Sequence, residues 1–459
     1  MIQIIIKNSH PLKLKHITFL FFLIGSISQA QVISLKDAHE LMLSNNGNLK
    51  ASSFEVRQNY EEYKATQGLH LPNITASGTY LRIDNDLKFD LNPERDMLGG
   101  LLNLPNPAQL LGDWNFTLQQ KNLGFATVNV SMPIFTGGLI NDANKAAKIK
   151  YKLAKNKHQI NDNKYTINLI QSYYRLKLAK SVKNLRQKVY NTVQLHYNLA
   201  AKFFENGLIP EVETLNAQVA LSNAKTELIG SQKDLELAKN ALANLIGIKN
   251  IDSLSTNFIK PTLVKPLSKF QIDLLKNNHQ LKAIQQNKSL AQIGVQAKKS
   301  DYFPKIDFFG SYIPWTDNLP IVKNTKWFVG IGAEWKLFDG LQREHKIKAA
   351  KYKIDQAKAI EVQAKLNLQT YTEKLFNTMK KASEQYQSLI LNETYAQKLK
   401  FMRTRAFEEG TGTSLEVVDA SLKLSQIQLY KLQTLYKYNI AYGELMVITG
   451  QTNLFLNQN

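Results

Sequence analysis

The chain is written twice, and that repetition constrains its fold more than any local feature. Asn45-Asn46-x-x-Leu49-Lys50-Ala51 returns 232 residues later as Asn277-Asn278-x-x-Leu281-Lys282-Ala283, and Pro72-x-Ile74-x-x-x-Gly78-x-Tyr80 returns at the same offset as Pro304-x-Ile306-x-x-x-Gly310-x-Tyr312. Phe135-Thr136-Gly137 then matches Phe338-Asp339-Gly340, and Phe204-Glu205-x-Gly207 matches Phe407-Glu408-x-Gly410, both 203 residues apart; Leu242 and Gly247 keep that spacing with Leu445 and Gly450. The difference of 29 residues falls between Tyr80 and Phe125, where the first copy carries the longer loop.

Each copy reads as a short helix, two strands, a very long helix and a second short helix. In the first copy, residues 31–247, these are 34–70, strands 72–90 and 113–135, then 138–206 and 211–247. In the second, residues 268–450, they are 268–302, strands 304–319 and 325–338, then 341–408 and 414–449. A linker at 248–267 joins the copies, with Pro261 and Pro266 keeping it out of a helix. A tail at 451–459 follows. Each long helix would reach about 100 Å, too long for one globular core, so it must pack along its length. The two short helices of a copy, end to end, match it as a second rod. Two near-heptad seams run along 414–449, Leu415, Val418, Leu422, Leu429, Leu432 and Tyr436 in one, Leu424, Ile427, Tyr438, Ala441 and Leu445 in the other. Two seams call for two helical neighbours.

The N-terminus carries Lys7, Lys13 and Lys15, an apolar run from Ile17 to Ile27, and a small-x-small pattern at Ser28-Gln29-Ala30. This predicts a cleavable signal peptide over 1–30, since the apolar run is shorter than the roughly 20 residues of a membrane span. The absence of cysteine excludes disulfides, thiolate chemistry and a lipidated N-terminus, so no lipoprotein is expected. The formal charge of +21 falls to +18 without the leader lysines. The remaining lysines are dispersed along helices without aromatic interleaving, which predicts solvated faces or attraction to anionic lipid rather than nucleic acid.

With no later apolar helical span, membrane insertion would require β-strands. Trp327, Val329, Ile331, Ala333, Trp335 and Leu337 alternate with Phe328, Gly330, Gly332, Glu334 and Lys336, and Val128, Val130, Met132 and Ile134 alternate with Thr127, Asn129, Ser131 and Pro133. That is the period of a membrane barrel strand, although a half-buried soluble sheet shows it too. Trp327 and Trp335 are candidates for the two aromatic girdles. Four strands cannot close a barrel, so a membrane reading requires several copies.

Repeat, strand pairs and helix order together resemble the TolC-like outer-membrane efflux protein family over the whole mature chain. The residues carrying the resemblance are Pro72 and Pro304, Phe135-Thr136-Gly137-Gly138 and Phe338-Asp339-Gly340, and above all the paired turns Asn206-Gly207-Leu208 and Glu409-Gly410-Thr411. The resemblance implies a mainly α chain with a small membrane β part. In it, a homotrimer closes a twelve-strand barrel over a periplasmic helical tunnel, with the linker in an equatorial belt. It implies a passive exit duct in outer-membrane lipid, docked by a periplasmic adaptor and driven by an inner-membrane pump or ABC transporter. Gly207, Leu208, Gly410 and Thr411 would then be adaptor contacts, though both glycines also read as ordinary helix caps. Glu416 and Asp419 would form pore-facing acidic rings; by themselves they are also a solvated pair favoured at a helix N-terminus. Copy one has Glu213 and Asn216 there, and Gly412 stands where some members carry an arginine latch.

No nucleotide loop, metal spacing or supported catalytic set is present, so no cofactor, metal or enzyme activity is expected. The rival readings are a trimeric coiled-coil surface protein and a soluble periplasmic helical binding protein.

Overall fold

In a computed structural model of the chain, residues 32–262, 265–318 and 325–458 are described. The expected signal peptide, residues 263–264 of the linker, residue 319 of a predicted strand and residue 459 lie outside them.

The first short helix of each copy is two helices. α1 (Leu35–Asn45) gives way to α2 (Gly47–Gln67) at Asn46, whose extended backbone (ψ 119°) starts a new helix and whose side chain accepts from the amides of Asn48 and Leu49. The same break separates the second copy's helices 267–277 and 279–299 at Asn278, which accepts from Gln280 and Leu281. The asparagine pairs also fasten neighbouring helices. Asn45 and Asn46 donate to the carbonyls of Ile246 and Leu245, while Asn277 and Asn278 donate to those of Thr449 and Ile448. Gly247 and Gly450, at φ +73° and +76°, are required there: an added Cβ would lie 2.6 Å from Asn45 Cβ and 2.7 Å from Asn277 Cβ. The repeated Asn-Asn and Gly positions are thus two halves of one joint, made twice.

The long helices are α5 (Leu139–Glu205) and α9 (Gln342–Glu408), 67 residues each, with α7 (Leu267–Asn277) and α8 (His279–Lys299) between them in sequence. At 1.5 Å per residue each long helix is about 100 Å. α6 (Glu211–Ile246) packs along α5, and α10 (Ser414–Ile448) packs along both α9 and α5, the two-neighbour arrangement that its seams require. No helix among the described residues is long and apolar enough to cross a membrane.

The predicted strand 72–90 is two strands, β2 (Asn73–Arg82) and β3 (Leu87–Asp90), and 113–135 is likewise β4 (Asn115–Gln119) and β5 (Asn122–Phe135). β3 and β4 form their own hairpin, and two helices, α3 (Asn92–Leu101) and α4 (Pro107–Leu111), fill the longer loop of the first copy. Leu81, Ile83, Leu87 and Phe89 keep one phase across the first split, which hides it from periodicity, whereas the polar run Gln119-Gln120-Lys121-Asn122 and the change of phase from Phe116 and Leu118 to Leu123 and Phe125 mark the second. β7 (Lys305–Asp317) and β8 (Trp327–Glu334) complete an antiparallel sheet of order β2-β5-β7-β8. β8 stops short of the predicted 338: Trp335 lies beyond it, its indole N–H donating to the Tyr302 carbonyl at 3.1 Å.

A buried core surrounds the middle of α5, where Leu169, Ile170, Tyr173 and Tyr174 are fully enclosed with Phe270, Tyr438 and Phe455. The linker threads this core. Its strand β6 (Ser253–Leu254) pairs with β1 (Val32–Ile33), Tyr173 donates to the Ile33 carbonyl, and Asn439 bonds both the amide and carbonyl of Ile259.

Candidate functional site

Two ends of the molecule carry the functional candidates. At the strand end, the register sorts side chains onto two faces. Asn73, Thr75 and Ser77 lie opposite Ser131, Asn129 and Thr127, and this row continues to Phe309 and Ser311 on β7. The other face carries Ile74, Val130, Val128, Tyr312, Val329 and Ile331. The first face is polar along β2 and most of β5 but also carries Phe125, Phe309 and Phe328, the second is apolar, and Val329 and Ile331 on it are 60% and 69% exposed. Phe309 lies over Gly330 and Gly332, the residues whose missing side chains leave it room. Trp327 stands on the apolar face opposite Tyr312. Sequence periodicity missed Trp315 as its neighbour, because a register shift beside Pro314, which cannot donate to the ladder, swings Trp315 onto the apolar face. Tyr80, Tyr312, Trp315 and Trp327 therefore cluster at the end far from the helices. Trp335 lies at the opposite end, outside the strand. Among the described residues, both outer strands, β2 and β8, have unpaired edges.

At the other end the long helices turn back. Gly207 (φ +67°) and Gly410 (φ +74°) adopt the left-handed backbone that ends each helix; Leu208 N–H donates to Phe203 O at 2.8 Å and Thr411 N–H to Ala406 O at 2.9 Å. Gly207, Leu208, Gly410 and Thr411 are all exposed, with Leu208 at 68%. Beyond the turn that exposes Leu208, α6 carries an exposed apolar stripe of Val212, Leu215 and Val219, a 3-4 spacing legible in the sequence but not singled out there.

Glu416 and Asp419 are placed differently. Glu416 closes a capping box with Thr413, each side chain accepting from the other's amide at 3.3 Å, and pairs with Arg403 at 2.8 Å. Asp419 is exposed and has no hydrogen bond or ion pair among the described residues. Gly412 is half-buried against the end of α9, where a Cβ would sit 3.1 Å from Ala406 Cβ and 3.2 Å from Phe407 N, closer than ordinary contact.

The two hairpins are instead joined by a cluster that long-range packing creates and sequence could not reveal. Glu213 Oε2 accepts from the Ser414 amide at 2.9 Å, and the Ser414 hydroxyl meets His196 Nε2 at 2.7 Å. Phe407 packs against His196 and stacks on Phe203. Burial lowers the His196 pKa, opposed by its hydrogen bond to Ser414 and the charge of Glu213. Ser, His and Glu here do not form a nucleophilic relay, because Glu213 binds the serine backbone rather than the imidazole.

The profile of the outer membrane efflux proteins matches residues 39–248 and 272–451, spanning both copies. The chain belongs to the outer membrane efflux protein family. The family consists of channel proteins rather than enzymes and places the chain among outer-membrane proteins. The protein CyaE of Bordetella pertussis is 22% identical over 249 residues, 52% of each chain, so this efflux protein spans about half the length of the curated relative it matches. The fold is that of CusC, with a TM-score of 0.75, 15% identity and coverage of 90% of this chain and 91% of that one. It is also that of the CmeC outer membrane channel of Campylobacter jejuni, with a TM-score of 0.74, 16% identity and coverage of 91% and 86%.

Proposed function

We propose that this efflux protein is a passive exit duct of a tripartite efflux pump or type I secretion system, carrying small molecules or polypeptides outward from an inner-membrane transporter. The observation that carries this reading is a four-strand sheet, apolar on one face and bearing a Thr/Ser/Asn row on the other, with two edges unpaired among the described residues and mounted on helices about 100 Å long. Unpaired edges are not stable in lipid. Three copies joined edge to edge give twelve strands, the apolar face toward lipid and the Thr/Ser/Asn face toward the lumen. The helical ends then project into the periplasm, and export is by the N-terminal signal peptide.

At the periplasmic tip, Gly207, Leu208, Gly410 and Thr411 meet an adaptor protein, and the apolar stripe of Val212, Leu215 and Val219 supplies further contact area for a helical partner. Asp419 lines the narrow end as a ring of three carboxylates, while Glu416, held by Thr413 and Arg403, mainly stiffens the turn. The tip is kept shut by the Glu213–Ser414–His196 clasp in place of an arginine latch.

Native mass spectrometry of protein extracted from outer membranes tests this assembly. The expected species is three copies; a folded monomer, or absence from the membrane fraction, would overturn the reading.

A further inference from the structure

The segment 83–121, present only in the first copy, is built inside out. α3 turns Arg95 (8% exposed) and Gly99 inward, against Gly112 and Pro107, and turns Met97, Leu98, Leu101 and Leu102 outward. Leu101 is 75% exposed. The β3–β4 hairpin adds Phe89 and Phe116, paired in register and both more than half exposed. The segment is nevertheless well fixed. Asn92 donates to Asp113 and accepts from Trp114 N, Trp114 Nε1 donates to Leu111 O, and Gln119 donates to the Asn318 carbonyl at the end of β7. A rigid unit that hides an arginine and displays leucines is shaped to be covered.

Lipid is a poor cover. The ten residues of β2, at about 3.3 Å each and a barrel tilt near 40°, already climb about 25 Å, the height of the apolar band. Arg82, Asp84, Asp86 and Lys121 stand at the base of the segment, at headgroup level. With six acidic and three basic residues the segment is net −3 in a chain of +21, so an anionic membrane surface repels it. The segment grows from the top of β2, the open edge against which the next copy must lie.

We propose that the 83–121 segments of three copies pack their outward apolar faces on one another above the barrel, forming a self-assembled cover at its external mouth. This rests on the trimeric duct reading. The partner is a second and third copy of this chain, with Met97, Leu98, Leu101 and Leu102 as the contact and the acidic rim facing water. The cover is a second narrowing, separate from the periplasmic tip.

The absence of native cysteine makes the test direct. Leu101→Cys, and separately Met97→Cys, are oxidised in outer membranes and run on non-reducing gels, with native mass spectrometry of the same samples. The expected result is disulfide-linked dimers formed within an intact trimer, with slow labelling by a water-soluble maleimide before oxidation. An intact trimer whose cysteines never cross-link overturns the cover, whether they label freely in water or stay unlabelled in lipid. Loss of the trimer from the unsubstituted protein overturns the duct reading instead.

Discussion

Replacing Glu213 by alanine should open the periplasmic tip. The carboxylate accepts from the amide of Ser414, a residue with no exposed surface, and it is the contact by which the first hairpin caps the second. Any widening that carries α9 and α10 away from α5 and α6 must break it. A hydrogen bond to a charged group contributes about 1.5 to 3 kcal/mol, and Glu213 is only partly buried, so the lower figure applies. In the proposed trimer three such bonds break together, about 4.5 kcal/mol in the difference between closed and open tips. That shifts the equilibrium roughly thousandfold toward the open form. The assay is single-channel conductance in planar bilayers, comparing the native protein with Glu213→Ala and Glu213→Gln. Alanine should give long, high-conductance openings, and glutamine, which keeps an acceptor oxygen, a smaller change. Trimers of Glu213→Ala with native conductance would refute the clasp.

The remaining predictions concern the same architecture. Burial holds His196 neutral, so the clasp is at full strength above the ordinary histidine value of about 6.5 and weakens as pH falls below it toward the lowered value. Acidifying the tip side should therefore raise open probability, and His196→Gln should flatten that dependence; an unchanged pH profile in the variant would count against it. Asn278→Ala removes an N-cap and a bond to Ile448 O and should lower stability by about 1 to 2 kcal/mol, read as an earlier denaturation midpoint, with little change in conductance. Gly450→Ala should be at least as damaging, because both its φ and the 2.7 Å approach to Asn277 Cβ oppose a side chain; a native-like melt would contradict the joint. Asp419→Asn should reduce cation preference and divalent block more than Glu416→Gln, whose main cost should be to stability; equal effects would show that both carboxylates line the pore.

Much of this fold was legible in the sequence because the repeat is structural at each matched position. The Asn-Asn and Gly matches are a helix-to-helix joint, and the Gly207 and Gly410 matches are helix reversals. Periodicity located the strands but not their ends: alternation ran through the β2–β3 break and past Glu334 to Trp335, while the β4–β5 break was marked by the polar run Gln119-Gln120-Lys121-Asn122. The helix break at Asn46 left the apolar pattern intact, so only the cap chemistry of Asn-x-x-Leu marked it. Thr413-x-x-Glu416 is a capping box readable from spacing, which gives Glu416 a structural task beside any pore role. Glu213 stood out only as the counterpart of Glu416, and its cluster with His196 was silent because their partner Ser414 lies about two hundred residues away, and only packing of the hairpins brings them together.

The measurement that tests the central claim most directly is the current through the purified protein in a planar bilayer. The account predicts a small, cation-preferring conductance that divalent cations block and that Asp419→Asn relieves. A well-folded trimer that passes no current in either the native or the Glu213→Ala form would contradict it.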